Sequence, residues 1–141
     1  MLCQIPVVLA CKCVPFDVAK RFEKASLVFE AFMTKTELSD INGKVDPWGD
    51  DRGPYVIGNF NIVKTWKGDP LNIDGVVTHT QSSACGIDLV VAHNYLFFIN
   101  EKATDKGIFT NNDYGVVSIC GGPYGEYYEL YAPTLKWLNN Q

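Results

Sequence analysis

The chain reads as a mainly β domain: a closed or nearly closed barrel of five strands with two short flanking helices, stapled by disulfides. Three observations predict this. Extended, largely apolar segments recur five times along the chain, only two short stretches have helical spacing, and an even set of cysteines remains once an apolar lead is set aside. Closure is expected because a barrel removes the strand edges that a small sheet would otherwise present to other chains.

The elements follow in chain order. Ile5-Pro6-Val7-Val8-Leu9-Ala10 reads as the end of a secretory signal, with small Ala10 and Val8 placed for cleavage after Ala10. Residues 1–10 are therefore expected to be a partial signal peptide, and 11–141 a single secreted, extracellular domain. Asp17 to Lys24 carries Val18, Phe22 and Ala25 at helical spacing, a short helix with Asp17 as its cap. Leu27, Phe29, Ala31 and Met33 alternate with Val28, Glu30, Phe32 and Thr34, which predicts a long strand with one face in the core. Leu38 to Pro54 is rich in turn chemistry (Asn42-Gly43, Asp46-Pro47, Gly53-Pro54) and reads as an exposed loop. Extended structure resumes from Tyr55 to Trp66, with Gly58 read as a bulge, and Lys67-Gly68-Asp69-Pro70 turns the chain. Ile73 to Thr80, Tyr95 to Asn100 and Tyr114 to Cys120 supply three more strands, with polar connectors at 102–107 and 111–113. A tyrosine-rich segment (Tyr124, Tyr127, Tyr128, Tyr131) leads into a closing helix, Pro133 to Leu138, with proline in its first turn.

Composition narrows the function classes. With 141 residues, 47% hydrophobic and 13% aromatic, the chain suffices for one hydrophobic core, and no apolar run approaches the roughly 18 residues of a membrane span. No membrane partner is expected. A net charge of −4 argues against a phosphate backbone as partner, because nucleic-acid affinity draws on clustered lysine and arginine. The aromatics Phe60, Trp66 and Tyr95 are therefore not read as a single-strand platform. There is no nucleophile elbow, no His-Glu zinc motif and no phosphate-binding glycine loop, so the chain is not read as an enzyme and no cofactor is expected. His79 and His93 lack metal-ligand spacing and are assigned no chemistry.

The cysteines carry more information. Cys3 leaves with the lead; Cys11, Cys13, Cys85 and Cys120 then allow three pairings. Joining Cys11 to Cys13 would close a strained ring. Either alternative clips the amino terminus to two distant points, and a bridge across many tens of residues contributes roughly 4–5 kcal/mol in the chain-entropy model. As zinc ligands, one Cys-x-Cys and two isolated cysteines fit ribbon spacing poorly. Cleavage before Cys11 also frees an α-amine with a pKa near about 7.7–8.0, which sheds its proton at neutral pH far more readily than a lysine ammonium. With the carbonyl oxygen of the same residue, that amine closes a five-membered chelate ring on a zinc held by another protein.

Cys11-x-Cys13-x-Pro15, Ser82-Ser83-Ala84-Cys85-Gly86, the strand end Ile62-Val63-Lys64-Thr65-Trp66-Lys67-Gly68, and Cys120 before a terminal helix together resemble the inhibitory domain of the tissue inhibitors of metalloproteinases, a netrin-like module. The resemblance covers nearly all of 11–141. It implies a five-stranded OB-like closed barrel, disulfides Cys11–Cys85 and Cys13–Cys120, and a monomeric inhibitor of extracellular zinc metalloproteinases with no metal of its own. In that reading the Cys11 amine and carbonyl chelate the target's catalytic zinc and take the place of its attacking water. Lys12, Cys13, Val14, Pro15, Ser83 and Ala84 contact the protease, with Val14 and Pro15 as a rigid ridge. Lys12 falls where a residue enters the specificity pocket, so its stem must fill the pocket while its charge emerges or meets a carboxylate.

Each feature also has a plainer reading. In it the cysteines are only staples of an extracellular fold, Lys12 is a solvated charge, Ser83-Ala84 a turn beside a bridge, and Asp50-Asp51 a loop tip. Packing of the tyrosine segment over the barrel outweighs its use as a recognition surface. The alternative function is a secreted netrin-like protein-binding module without inhibitory activity, engaging its partner through the loop around Trp48 or the tyrosines.

Overall fold

Leu27 to Ala31 are buried without interruption, on both faces of their strand. A two-sided burial needs a layer on each side, and that requirement organises the molecule. The computed structural model describes residues 13–39, 55–79, 86–102, 113–122 and 124–141. In order they form α1 (Val18–Lys24), β1 (Leu27–Ser39), β2 (Tyr55–Lys67), β3 (Gly75–His79), β4 (Asn94–Ile99), β5 (Tyr114–Val116) and α2 (Tyr131–Asn139). The five strands make one sheet ordered β4-β1-β2-β3-β5, antiparallel except for the parallel pair β3 and β5.

On one face Phe29, Ala31 and Met33 of β1 join Tyr95, Phe97 and Ile99 of β4, with Val76, Val117 and Tyr124. On the other, Val28, Leu96 and Phe98 lie under the helices, meeting Phe22, Tyr131, Leu135 and Leu138. Buried Glu30 shares that helical face, where the Tyr131 hydroxyl donates to its carboxylate. A buried carboxylate needs such a donor, so this bond fixes α2 over β1. From Phe32 onward β1 alternates exposed and buried residues up to Thr34, and there the one-sided strand of the sequence reading is recovered.

Several expectations are corrected. The sheet is not closed into a barrel. Beyond β4, Lys102 bridges Gly115, and Val116 N donates to Glu101 O at 2.9 Å, but no ladder joins β4 to β5 among the described residues. The two strands diverge: a polar cavity lined by Phe98, Asn100, Val116 and Ser118 parts them, and the start of the β4 edge is taken by the segment after β5, where Leu96 N donates to Tyr124 O at 2.7 Å and Glu126 N to Asn94 O at 2.9 Å. The strand expected through Cys120 ends at Val116, and the chain folds into a 3-10 turn at Ile119–Gly121. The strand expected from Ile73 begins at Gly75, because Asp69 accepts from Leu71 N and caps a 3-10 turn over Pro70–Asn72.

Gly58 is not at a bulge. It pairs regularly with Thr36 and Val76, while the register shifts lie at Val28/Phe29, Glu30/Ala31 and Met33/Lys35; a side chain at 58 would meet that of Met33. Gly68 does need its freedom, with φ +71 in the turn after β2. Leu38, expected in the loop, belongs to β1; residues 40–54, with Trp48 and Asp50-Asp51, lie outside the described residues. No helix among the described residues is long and apolar enough to cross a membrane.

Burial raises the hydroxyl pKa of Tyr124 above the ordinary tyrosine value, and burial with the Glu30 carboxylate raises that of Tyr131. Above pH 10 the unfolded chain therefore loses tyrosine protons that the folded chain keeps, and stability falls as pH rises. For fully buried Tyr124 the slope is about 1.4 kcal/mol per pH unit. Urea unfolding between pH 9 and 11.5 is expected to show the decline, and Tyr124→Phe to make it shallower by about that amount.

Candidate functional site

The amino-terminal segment is held at both ends. Cys13 is joined to Cys120 by a disulfide spanning 107 residues, with the Cα atoms 5.0 Å apart. Cys120 sits in the 3-10 turn after β5, and Gly122 follows at φ +134, where an L side chain is strained and a Cβ would strike the Phe16 ring. Phe16 fills that space and stands edge-on to Phe98, centroids 6.0 Å apart. At the other end Asp17 Oδ1 accepts from Ala19 N (3.1 Å) and Lys20 N (3.2 Å), starting α1. The last turn of α1 is secured by Lys67, whose Nζ donates to the carbonyls of Phe22 (2.8 Å) and Glu23 (2.9 Å). Between these anchors Val14 is 73% exposed, and Pro15 is exposed beside it.

Behind this ridge lies a groove of about 450 Å³. Cys13, Val14 and Phe16 form one wall, and Gly122, Tyr124, Tyr128, Glu129 and Leu130 the other. Ile87 also lines it, and Ile87 N donates to Thr78 Oγ1 at 3.1 Å, which locks the chain after Cys85 onto β3. Glu129 is the one charged residue among these lining side chains. A smaller polar cavity of about 170 Å³ marks the seam between β4 and β5, with Arg21, Asn100, Glu101 and Ser118 on its walls. Arg21 draws the Tyr124 hydroxyl pKa back down, against the larger effect of burial.

Of the site residues expected from sequence, Cys13, Val14 and Pro15 stand together on the ridge. Cys11, Lys12, Ser83, Ala84 and Cys85 lie outside the described residues, and with them the Cys11–Cys85 pairing. The tyrosine segment divides: Tyr124 and Tyr131 are buried, Tyr127 and Tyr128 are not. His79 is buried in β3 beside Tyr55, ring centroids 5.6 Å apart, and His93 Nδ1 lies 2.7 Å from Glu126 Oε1. Among the described residues no group of three or more His, Cys, Asp or Glu is placed to hold a metal ion. Sequence reasoning missed Phe16, Ile87 and Leu130 as groove residues. The sequence feature that could have pointed to them is the Gly121-Gly122 pair beside Cys120, where a Cβ at Gly122 would strike the Phe16 ring.

No protein-family model matches the chain, and no curated protein matches it.

Replacing both Cys13 and Cys120 with serine is expected to lower stability by roughly 4–5 kcal/mol. Gly122→Ala should cost about 1–3 kcal/mol through backbone strain, and exposed Val14→Ala less than about 0.5 kcal/mol. Urea unfolding of the three variants checks the ranking.

Proposed function

We propose that the chain is a secreted inhibitor of zinc metalloendopeptidases, related in kind to the tissue inhibitors of metalloproteinases. The observation that carries this reading is the anchored ridge: Cys13 is covalently fixed to Cys120 while Val14 and Pro15 project beside it. Cys11 lies two residues before that anchor. Processing after Ala10 would bare its α-amine, neutral in a good fraction of molecules near pH 7.5, and the amine with its own carbonyl oxygen would chelate the target's zinc.

The zinc belongs to the target enzyme, and the inhibitor's contribution is position. A free amino terminus would lose conformational entropy on entering a cleft; one pinned in the folded chain has lost it already. With a ligand pair where the attacking water sits, hydrolysis has no nucleophile. That Ile87 and Cys13 line one groove supports bringing Ser83 and Ala84 beside Cys11 as a second contact, with Lys12 entering the specificity pocket. The side-by-side parallel pair β3 and β5, which a simple meander would not give, supports an OB-like, netrin-type framework.

The exposure of Tyr127 and Tyr128 favours a second reading, a netrin-like module that binds a protein partner without inhibiting a protease. One comparison separates the two. The form starting at Cys11 is expected to inhibit members of a zinc-protease panel, and a form with one alanine placed before Cys11 to lose at least about 100-fold, since the added residue blocks chelation by the amine. Equal inhibition by both forms, or none by either, favours the second reading.

A further inference from the structure

Beside the groove stands an aromatic pair to which the inhibitor reading gives no role. Tyr127 and Tyr128 are 49% and 38% exposed, with ring centroids 4.9 Å apart. Neither hangs loosely. The Tyr127 hydroxyl donates to Asp88 O at 3.0 Å and lies 3.2 Å from the hydroxyl of buried Tyr95. Tyr95 in turn donates to Asp88 O and accepts from Val90 N, each at 2.7 Å. His93 stands edge-on to Tyr127, centroids 5.8 Å apart, and the pairing of Tyr124–Glu126 with β4 fixes the backbone beneath. Aromatic faces held in advance by such a network lose little entropy when a ligand covers them.

The charge around the tyrosine pair is mainly negative, the cations that adjoin the groove being Arg21, which acts on Tyr124, and Lys12, the neighbour of Cys13 in sequence. Segments 13–17, 86–95 and 121–130 contain no lysine or arginine, yet carry Asp17, Asp88, Glu126 and Glu129. His93, the basic side chain in those segments, is engaged by Glu126. The Asp88 charge acts on Tyr95, Tyr127 and Tyr128, adding to burial in raising all three hydroxyl pKa values. Ring faces attract cations through their quadrupole, and surrounding carboxylates deepen that attraction. Tyr128 also lines the apolar groove whose one charged lining residue is Glu129, a shape suited to an aliphatic stem that ends in a positive charge.

We propose that the Tyr127–Tyr128 pair and the adjoining groove form a docking surface for a basic extended segment of a protein partner. An arginine or lysine stacks on the tyrosine faces, its stem lies against Val14, Phe16 and Leu130, and its charge meets Glu129. The surface does not depend on Cys11, so it stands whether or not the amino terminus caps a zinc.

Three capped hexapeptides test it: alternating arginine and leucine, glutamate and leucine, serine and leucine. Each is titrated into the isotopically labelled full domain while backbone amide resonances are followed. The arginine peptide is expected to bind and to shift the amides of Val14 and residues 124–130. Tyr128→Ala and Glu129→Gln should each weaken it about threefold to tenfold, and Tyr128→Phe should leave it unchanged. The form with alanine before Cys11 should bind the peptide equally well, which separates this surface from inhibition. Equal binding of all three peptides, no binding of the arginine peptide, or shifts confined to other segments overturns the proposal. So does concentration-dependent shifting of residues 124–130 without peptide, which would make a second copy of the chain the occupant.

Discussion

The covalent link between Cys13 and Cys120 is the constraint on which the arrangement of this molecule depends. It joins the segment before α1 to the turn after β5, 107 residues later, and so decides where the chain may go between β5 and α2. Held at that turn, the following residues lie along β4 and take its edge through Leu96 and Asn94. That part of the edge is then closed to other strands, and between β4 and β5 the sheet stays open with a polar seam at Arg21 and Ser118. The same detour builds the groove, because Gly122, Tyr124, Tyr128, Glu129 and Leu130 line it together with Val14 and Phe16.

A second constraint is the layering. Strands β1 and β4 are apolar on both faces because one face meets the opposing strands and the other meets α1 and α2. Glu30 is the exception that specifies register. A buried carboxylate accepting from Tyr131 allows α2 one seat on the sheet, whereas an all-apolar contact would tolerate sliding. Lys67 does the same for α1 through the carbonyls of Phe22 and Glu23. The ridge is therefore referenced to the core twice, through sulfur at Cys13 and through the Asp17-capped helix.

Much of this was legible in sequence, for local reasons. The extended run from Leu27, the Asp17 cap and the Lys67-to-Pro70 turn are encoded by neighbouring residues, and β1, α1 and the turn lie where those signals put them, although the expected one-sided burial holds only from Phe32 to Thr34 because helices cover the second face of Leu27–Ala31. What was not legible is decided by distant partners. Nothing near Val116 says that its strand must stop so that Cys120 can reach Cys13, and nothing near Tyr124 says that β4 has an edge to offer. Gly58 signalled a bulge because glycine in a strand usually does; here it makes room for Met33. The tyrosine segment could not be divided by pattern either, since Tyr124 is buried by pairing with β4 and Tyr131 by Glu30. For the candidate site, the ridge residues were legible from the cysteine spacing and proline, but the groove behind them was not, because Ile87, Phe16 and Leu130 carry no chemical signature.

The account makes the disulfide the cause of the path taken by residues 121–130, and hydrogen exchange tests that cause directly. Amide exchange is followed by peptide in the native chain and in the variant with serine at both 13 and 120. If the bridge dictates the path, peptides covering 124–130 lose far more protection than those covering 27–38 and 55–66, because the pairing on β4 opens while the β1–β2 ladder persists. Loss of protection by the same factor in all three regions would contradict the account, since the bridge would then be a general staple and the β4 edge would be covered for some other reason.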